Sequence, residues 1–511
     1  MIEKTKTKKI KNALISVFYK EPAKKLIEEL NKKGVSLYST GGTLDYIKSL
    51  GIEAKSIESL TGYPSILGGR VKTLHPKVFG GILVRSEKEE DQKQLKEFEI
   101  PEFDMVVVDL YPFEETLKKD ASHQEIIEKI DIGGISLIRA AAKNYNNCCI
   151  IPSSEYFEQA ATLISEQNAE LSFEQRKYFA GAAFNVSSHY DTAIFNYFNS
   201  DSDFDVFKNS ILKSKTLRYG ENPHQWGKFY GDYDEIFEQL NGKELSYNNI
   251  LDIDAALNLM SEFTEPSFAI IKHSNACGMS SRATIEEAWK ASLASDPVSA
   301  FGGILLANRN ITEKNAYQIS ELFFEVIIAP DFDKKALEVL STKKNRIILR
   351  LKKPFLHNQI FRTALNGVLC QKRDDIIAPP EEWETVTNHK PDDSQVNDLL
   401  FANKLVKHTK SNAIVLVKDQ QLIGSGTGQT SRVDALMHAI EKAKEHGHSL
   451  KGAVMASDAF FPFPDCVEIA HKEGIIAVIQ PGGSVKDNLS IDFCNNNNMA
   501  MVFTGKRHFK H

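Results

Sequence analysis

The sequence predicts an α/β protein of two regions, a first domain in which helices cover a parallel sheet and a second region built of duplicated α/β units. Three observations support this prediction. Short apolar runs alternate with amphipathic stretches over roughly the first 200 residues, and a polar run, Asn199-Ser-Asp-Ser-Asp203, follows them. Beyond that run lies a second α/β region in which short motifs recur in the same order. We therefore predict one domain at 1–204 and a second region at 205–511.

The first domain alternates strands with helices in a regular order. Strands are predicted at 13–18, 35–38 and 105–110, and helices at 22–33, 44–50, 136–143 and 173–198. Such alternation predicts a parallel sheet that is covered on both faces.

The second region contains short motifs that recur in the same order, and this internal repeat predicts a duplicated α/β unit. Three motifs, Ser274-Asn-Ala276, Ser281-Arg282 and Ala294-Ser-Asp296, recur as Ser411-Asn-Ala413, Ser431-Arg432 and Ala456-Ser-Asp458. Each first triplet follows a Lys-His pair, and capping boxes are predicted at Thr284 with Glu287 and at Ser431 with Asp434. We place the two units at roughly 205–355 and 395–511.

Composition excludes several classes of protein. Apolar and charged contents of 42% and 25% are typical of a globular chain, and the apolar runs are too short to span a membrane. A net charge of -6 argues against broad nucleic-acid binding. The lysines from Lys4 to Lys11 resemble a solvated terminus more than a targeting signal, which favours a cytoplasmic protein. Six cysteines without a Cys-x-x-Cys spacing indicate neither a disulfide framework nor a zinc site.

The most informative stretch is Phe268-Ala-Ile-Ile-Lys-His-Ser-Asn-Ala-Cys-Gly278. An apolar run ends abruptly in Lys272 and His273, and ligands of open α/β sheets bind beyond the carboxyl ends of strands. A cation beside an imidazole suits acid–base chemistry on an anionic substrate. The alternative is a solvated Lys-His pair at a strand end, and the neighbouring motifs favour the functional interpretation.

Glycine-containing loops of the first domain predict a phosphate site. Ser39-Thr-Gly-Gly-Thr43 lies between a strand and a helix, and Gly68-Gly-Arg-Val-Lys-Thr-Leu-His-Pro76 is a glycine-led loop with several basic groups. Asp109-Leu-Tyr-Pro-Phe113 ends a buried strand, and Asp131 precedes a helix that carries Lys143. We expect Lys72, Tyr111, Asp131 and Lys143 to lie over one edge of the sheet. The alternative for Ser39–Thr43 is an ordinary turn without a ligand, and the alternative for 68–76 is a charged surface loop.

The second region offers further candidate anion and ligand contacts. Leu217-Arg-Tyr-Gly-Glu-Asn-Pro-His-Gln225 and Gly424-Ser-Gly-Thr-Gly-Gln-Thr-Ser-Arg432 combine basic groups, amides and bare backbone. Ala300-Phe-Gly-Gly303 is a third such stretch. In Asp458-Ala-Phe-Phe-Pro-Phe463 a carboxylate adjoins three aromatic residues, which form either a core cluster or a pocket wall.

The motifs of the first domain resemble inosine monophosphate (IMP) cyclohydrolase. The resemblance rests on Gly69-Arg-Val-Lys-Thr-Leu-His-Pro76, on Asp109 to Phe113, and on Ile130-Asp-Ile-Gly-Gly134 through Arg139-Ala-Ala-Ala-Lys-Asn144. It implies a methylglyoxal-synthase-like fold and nominates Lys72, Tyr111, Asp131 and Lys143 as catalytic. The nucleotide contacts that it implies are Ser16, Lys20, Thr40, Gly41, Gly42, Thr43, Arg70 and Thr73.

The second region resembles aminoimidazole carboxamide ribonucleotide (AICAR) transformylase, the other half of the same bifunctional family. The resemblance implies two cytidine-deaminase-like units and a catalytic pair, Lys272 and His273. The substrate contacts that it implies are Arg218, Tyr219, Asn222, Asn275, Phe301, Gly302, Asn412, Gln429, Arg432, Asp458 and Phe461.

Four positions depart from the family pattern. Phe18 and Tyr19 replace small polar residues after the first strand, Asp109 stands where an asparagine is usual, and Pro464 stands where an arginine is usual. Phe18, Tyr19 and Asp109 are expected to change the recognition of the base and the phosphate. Asp109 is also expected to add negative charge near the nucleotide. Pro464 is expected to remove a contact to folate or to the nucleotide.

The resemblance implies two consecutive reactions of purine biosynthesis. Formyl transfer from the cosubstrate 10-formyltetrahydrofolate to AICAR comes first, and dehydrative cyclisation of formyl-AICAR to IMP follows. It also implies a homodimer with shared transformylase sites and leaves a bound monovalent cation open. Zinc-dependent deamination is the rival chemistry, and the missing Cys-x-x-Cys argues against it. A nucleotide-sensing role for the first domain is the other alternative.

Overall fold

The computed structural model describes residues 7–67, 70–201 and 204–511. They form two compact units, Met1–Leu212 and Lys213–His511, and the predicted boundary at 204 lies a few residues before the division. Some positions named above lie outside the described residues: Lys4, Lys6, Gly68, Gly69, Ser202 and Asp203.

The first unit contains seven strands among its described residues, and five of them form one sheet. The strands are β1 Lys8–Lys9, β2 Asn12–Ser16, β3 Ser36–Ser39, β4 Lys55–Ser56, β5 Met105–Val108, β6 Cys149–Ile151 and β7 Glu170–Leu171. The main sheet has the order β4-β3-β2-β5-β6, and every neighbouring pair in it is parallel. The alternation predicted from sequence thus gives the predicted parallel sheet.

Helices flank this sheet. They are α1 Lys24–Lys32, α2 Gly41–Ser49, α3 Ile57–Thr61, α4 Pro76–Leu83, α5 Glu89–Glu97, α6 Phe113–Leu117, α7 His123–Ile127, α8 Gly133–Lys143, α9 Phe157–Glu166 and α10 Phe173–Phe198. Reciprocal capping boxes at Ser122 with Glu125 and at Ser172 with Gln175 set the starts of α7 and α10. One apolar core packs between the sheet and the helices, and every residue of β5 is buried.

The second unit contains sixteen strands among its described residues. They are β8 Ser214–Leu217, β9 Gly227–Tyr230, β10 Phe237–Asn241, β11 Ser267–Lys272, β12 Asn275–Ser281, β13 Ile304–Ala307, β14 Val326–Ala329, β15 Ile347–Leu351, β16 Gln359–Ala364, β17 Gly367–Lys372, β18 Glu384–Thr385, β19 Ile414–Lys418, β20 Gln421–Gly426, β21 Val454–Ser457, β22 Ala477–Gln480 and β23 Ala500–Phe503. The helices are α11 Tyr247–Met260, α12 Ile285–Ser295, α13 Glu313–Ser320, α14 Lys334–Leu340, α15 Asp393–Lys407, α16 Arg432–Glu445, α17 Asp465–Lys472 and α18 Asp487–Asn496.

Twelve of these strands form one sheet whose two halves have the same connectivity. Its order is β10-β15-β14-β13-β11-β12-β20-β19-β21-β22-β23-β18. In each half an antiparallel hairpin is followed by three strands that are parallel to one another, β13–β14–β15 in one half and β21–β22–β23 in the other. The halves meet where β12 pairs with β20.

The repeated motifs of the sequence do not all occupy equivalent positions in these halves. Thr284 and Ser431 are equivalent, because they are the N-caps of α12 and α16. The first triplets are not, because Ser274 lies inside the β11–β12 turn whereas Ser411 precedes β19, the counterpart of β11. The topology therefore supports a repeat, whereas the triplets that suggested it are not aligned with it.

None of the described helices is both long and apolar enough to cross a membrane. Within the same residues, no group of three or more His, Cys, Asp or Glu side chains is arranged to hold a metal ion.

Candidate active sites

The first candidate site lies at the carboxyl edge of the parallel sheet of the first unit, where α2 begins. Thr40 is the N-cap of α2 but makes no side-chain capping bond. A Cβ atom placed on Gly41 would lie 3.2 Å from Lys72 Nζ, and one on Gly42 would lie 3.3 Å from Lys20 Cε. Two lysine side chains therefore lie against the first turn of the helix, where backbone N–H groups favour an anion.

Hydroxyl groups fix the loops around this helix start. Thr43 Oγ1 accepts a hydrogen bond from Val17 N at 3.2 Å and donates to Val17 O at 3.0 Å. Thr40 Oγ1 donates to Glu58 Oε1 at 2.6 Å. Ser16, the last residue of β2, reaches the same edge. These residues hold the turn after β2 against the start of α2.

The loop that carries Lys72 joins this edge to the start of α8. A Cβ atom on Gly133, the first residue of α8, would lie 3.2 Å from Oγ1 of the buried Thr73. Arg70 is exposed and pairs with Glu128. The starts of α2 and α8 thus line one crevice, and Lys72 lies between them.

Tyr111 and Asp131 are the titratable pair predicted for this crevice. Gly134 N donates to Asp131 Oδ1 at 2.6 Å, and Asp131 N donates to Tyr190 Oη at 3.0 Å. Burial raises the pKa of Asp131 although backbone donors oppose the shift. Burial and the charge of Asp131 also raise the pKa of Tyr111. The pair therefore combines a phenol that keeps its proton with a carboxylate that accepts one readily.

Lys143 does not belong to this crevice within one chain, contrary to the sequence prediction. Asp131 precedes α8 and Lys143 is its last residue, so the eleven-residue helix separates them by about 15 Å. Because α8 runs back across the sheet towards the start of β6, the exposed Lys143 lies at the opposite edge.

The second candidate site is the turn that joins β11 to β12. Lys272 pairs with Asn275, and the two residues between them, His273 and Ser274, have φ values of 49° and 62°. A two-residue hairpin loop with positive φ at both positions usually contains Asn and Gly. A histidine held in this costly conformation is a mark of a functional turn. The side chain of His273 is exposed at its tip.

Lys272 ends the apolar strand as predicted, but this end does not lie at the carboxyl edge of parallel strands. β11 is antiparallel to β13, so its carboxyl end lies where the parallel strands β13, β14 and β15 begin. The rule about the carboxyl ends of parallel strands therefore does not apply to this edge.

Lys272 lies beside the backbone of Phe301 and Gly302, where the glycine has no side chain. Its Nζ donates to the carbonyl oxygen of Phe301, and a Cβ atom on Gly302 would lie 3.2 Å from that Nζ. Gly302 has a φ of 72° and Phe301 packs on Phe323 with ring centroids 4.9 Å apart. The predicted contacts Phe301 and Gly302 thus lie next to the catalytic candidate.

Four predicted substrate contacts from the second half of the sheet form one cluster. Arg432 donates from Nη2 to Asn412 Oδ1 at 3.0 Å and from Nη1 to Asp458 Oδ1. Asn412 Nδ2 donates to the carbonyl oxygen of Gln429 at 3.0 Å. Asp458 is fully buried, and its Oδ2 has no hydrogen-bond partner among the described residues. The cluster is connected to the turn because Lys410 N donates to Asn275 Oδ1 at 3.1 Å.

Phe461 is a core residue, so its assignment as a substrate contact is wrong. Its side chain is 0% exposed and packs in the core of the second half of the sheet. Its neighbours Phe460 and Phe463 are partly exposed, and Lys486 Nζ lies 4.3 Å from the centroid of the Phe463 ring. Of the three rings only Phe461 belongs to the core, so the alternative of a pocket wall applies only to Phe460 and Phe463.

Arg218, Tyr219 and Asn222 lie in the loop between β8 and β9 and bond within that loop. Arg218 Nη2 donates to Tyr219 Oη at 2.7 Å, and Asn222 Nδ2 donates to Gln225 Oε1 at 2.9 Å. Their role as substrate contacts stays a prediction.

The second Lys-His pair is structural. Lys407 Nζ and His408 Nε2 lie 2.7 Å and 3.1 Å from Glu262 Oε1. Burial lowers the pKa of His408 to about 4, so the ring is neutral near pH 7. The open pair Lys272 and His273 therefore has no functional counterpart in the second half.

Asp252 was not predicted to lie at either site, and Asp109 was predicted to add negative charge near the nucleotide but not to bind the backbone. Asp252 on α11 accepts the backbone N–H of Ser274 at 2.6 Å and so holds the turn of His273. Asp109 accepts the backbone N–H groups of Phe18 and Tyr19 beside the first crevice. Asp109 could be found in the sequence as the polar end of a buried strand, whereas Asp252 gives no signal beyond its place on a helix.

Comparison with known proteins matches both regions of the chain. A family model described as AICARFT/IMPCHase bienzyme matches residues 141–442, and one described as an MGS-like domain matches residues 23–136. The second match confirms the fold predicted for the N-terminal region.

Several relatives match this chain over nearly its full length. A bifunctional purine biosynthesis protein PurH from Bacteroides thetaiotaomicron is 58% identical over 507 residues, which cover 99% of this chain and 100% of the relative. Proteins with the same name from Caldicellulosiruptor bescii and Aquifex aeolicus are each 45% identical, and the matches cover 98% of this chain and 100% of each relative.

Proposed function

The chain belongs to the AICARFT/IMPCHase bienzyme family, and from that membership we propose which residues carry each of its two reactions. The protein is a bifunctional enzyme of purine biosynthesis, an AICAR formyltransferase and an IMP cyclohydrolase. We assign formyl transfer to the turn of His273 and cyclisation to the crevice of Asp131, and we place the protein in the cytoplasm.

Formyl transfer requires a base, because the 5-amine of AICAR is a weak nucleophile whose lone pair is delocalised into the ring and the carboxamide. His273 removes the amine proton as the nitrogen attacks the formyl carbon of 10-formyltetrahydrofolate. The new C–N bond forms, and the bond from that carbon to the folate nitrogen then breaks. Such base assistance typically contributes about 10²–10⁴-fold. The observation that supports this role is the exposed imidazole at the tip of a turn that Asp252 holds.

Lys272 stabilises the charge that develops during this step. Its ammonium group lies at the backbone of Phe301 and Gly302, next to His273 in the chain. From there it neutralises the tetrahedral oxyanion or protonates the departing folate nitrogen. Asn412 and Arg432 bind the nucleotide, and the buried Asp458 holds the Arg432 guanidinium in place instead of contacting the nucleotide itself.

Cyclisation needs less chemical help, because the carboxamide nitrogen and the formyl carbon belong to one molecule. The phosphate of formyl-AICAR binds at the first turn of α2 between Lys20 and Lys72. Asp131 accepts a proton from the carboxamide nitrogen as the ring closes, and Tyr111 donates a proton to the formyl oxygen, which becomes a hydroxyl group. Asp131 then returns its proton to this hydroxyl, which leaves as water, while the former formamide nitrogen gives its proton back to Tyr111 as the C=N bond forms. The support for these roles is that Tyr111 keeps its proton beside an ionisable Asp131.

A homodimer explains the position of Lys143. Because α8 separates Lys143 from Asp131 in one chain, we propose that Lys143 serves cyclisation only in the crevice of a second copy. We also propose that the transformylase sites are shared across the dimer, and that the two halves of the large sheet are duplicated cytidine-deaminase-like units. Their identical connectivity supports the last proposal.

The test is a two-step assay of the purified protein. AICAR with 10-formyltetrahydrofolate should give IMP, and supplied formyl-AICAR should give IMP without folate. If only the first unit lacked activity, so that formyl-AICAR accumulated, a nucleotide-sensing role for that unit would be favoured.

A further inference from the structure

Two aspartates flank the buried strand β5 and make the same contact at opposite ends of β2. Before β5, Asp104 Oδ2 accepts the backbone N–H groups of Lys11 at 2.8 Å and Asn12 at 3.0 Å. After β5, the carboxylate of Asp109 accepts the backbone N–H groups of Phe18 and Tyr19, the latter at 3.1 Å. Asp109 is 5% exposed. Each carboxylate thus fixes the chain where it enters or leaves β2.

The segment that Asp109 fixes carries Lys20 to the first turn of α2. Lys20 Nζ donates to the carbonyl oxygen of Phe18 at 3.2 Å. A Cβ atom on Gly42 would lie 3.8 Å from the same Nζ. Lys20 therefore reaches the proposed phosphate position only while the backbone at Phe18 stays in place.

The same segment also contacts the acid–base pair. The Phe18 ring packs edge-on against Tyr111, with ring centroids 5.6 Å apart. Tyr19 Oη donates to Glu115 Oε1 on α6 at 2.7 Å. A shift of the segment would therefore move the surroundings of Tyr111 as well as Lys20.

We propose that Asp109 is a positioning residue of the cyclohydrolase site, which holds residues 17–20 so that Lys20 can bind the anionic group of the nucleotide. The proposal rests on the assignment of cyclisation to this crevice. At Asp109 the two N–H donors bind different oxygens, Phe18 N binding Oδ1 and Tyr19 N binding Oδ2, and an ionised carboxylate supplies both acceptors. An asparagine at this position has one oxygen, and its NH₂ group would face the second donor.

The charged groups around Asp109 make this positioning dependent on pH. Burial raises the pKa of Asp109 to about 6, with a further contribution from Asp131, although the two backbone donors and Lys20 oppose the shift. The other groups facing the segment are Tyr111, Glu115 and Lys129, whose Nζ lies 5.8 Å from the centroid of the Phe18 ring. As the pH falls through about 6, the carboxylate gains a proton and becomes a poorer partner for two N–H donors.

The experiment compares Asp109→Asn with the wild type in the full-length protein. The KM for formyl-AICAR should rise about tenfold while kcat changes less than about twofold, because binding of the anion is lost and the acid–base pair remains. In the wild type KM should rise as the pH falls from 8 to 5.5, whereas in the variant KM should not follow that change. An unchanged KM in the variant would overturn the proposal, and so would a KM of the wild type that does not vary with pH.

Asp104→Asn is the control at the far end of the same two strands, where one oxygen accepts both N–H groups, so that the variant removes the charge while its amide oxygen can keep both bonds. It should leave KM within about twofold of the wild type, and an equal rise in both variants would show a general loss of packing instead. Hydrogen exchange of the peptide that contains Phe18 and Tyr19 separates this inference from the assigned function. Exchange there should be faster in Asp109→Asn than in the wild type even if the wild type fails to cyclise formyl-AICAR, and equal exchange would refute the inference.

Discussion

The backbone N–H of Ser274 donates to Asp252 Oδ1 at 2.6 Å, and this bond ties the turn of His273 to helix α11. The Ser274 hydroxyl lies 3.3 Å from the same oxygen. Both central residues of the turn have positive φ values, so the turn depends on such support to keep its conformation.

Replacing Asp252 with alanine should therefore impair formyl transfer. We expect kcat for formyl transfer to fall about 100-fold, since a small displacement of a catalytic group has effects of this size. Cyclisation of supplied formyl-AICAR should not change. The control is Asp392→Ala, which removes a similar carboxylate-to-backbone bond at the N-cap of α15. Equal losses in the two variants would show that the effect is not specific to the turn.

The buried contact of Glu262 with Lys407 predicts a large effect on stability. The side chain of Lys407 is 2% exposed, and Glu262→Gln would leave its charge without a partner. We expect the free energy of unfolding to fall by about 3–5 kcal/mol, seen as a lower Tm of the second unit. Glu473→Gln, which breaks the exposed pair with Lys444, should leave Tm unchanged.

Acid should weaken the same contact in the wild type. Burial lowers the pKa of His408 to about 4, and hydrogen bonds from His408 and Lys407 lower the pKa of Glu262 to about 2 although burial opposes them. In both cases the unfolded state binds protons at a higher pH than the folded state does. The free energy of unfolding therefore decreases as the pH falls from about 6.5 towards 2. Thermal unfolding across that range should show Tm falling with pH, and a constant Tm would contradict these shifts.

Protonation of Asp131 should determine how the rate of cyclisation falls on the acid side of its pH–rate profile. Since burial raises its pKa, the base becomes protonated at a higher pH than an exposed aspartate would. The rate should fall on the acid side of neutrality, and Asp131→Asn should lower the rate about 10²–10⁴-fold and remove that limb. A pH–rate profile of formyl-AICAR cyclisation measures both, and an unchanged acid limb in the variant would assign the limb to another group.

The location of Lys143 predicts complementation between chains. Lys143→Ala and Lys72→Ala should each abolish cyclisation alone, whereas a refolded mixture should regain about one quarter of the wild-type activity. That fraction follows because half of the randomly formed dimers are mixed and each contains one intact site. No recovery in a mixture that forms mixed dimers would place both lysines in the same site.

The local sequence pattern was sufficient to predict the strands β5 and β11 and the polar residues at which they end. Apolar β-branched runs identified β5 and β11, and the polar residues that follow each run, including Lys272 and Tyr111, do lie at the candidate sites. The helix predicted at 44–50 begins three residues earlier, at Gly41, so the glycines between strand and helix supply its first free N–H groups.

Features that depend on distant packing were beyond this reasoning. Phe461 and its aromatic neighbours look alike in sequence, and only the packing of the second half of the sheet decides which ring is buried. The Lys407-His408 pair resembles Lys272-His273, but Glu262, which follows the end of α11, neutralises it. The position of Lys143, in contrast, follows from the length of α8, because a helix that returns across a sheet carries its ends to opposite edges.

The most direct test of the two-site account measures both activities in two variants of the full-length protein. His273→Ala should lose formyl transfer by at least about 100-fold and keep cyclisation of supplied formyl-AICAR, and Lys72→Ala should show the reverse. Loss of both activities in either folded variant would contradict the assignment of the two reactions to separate sites.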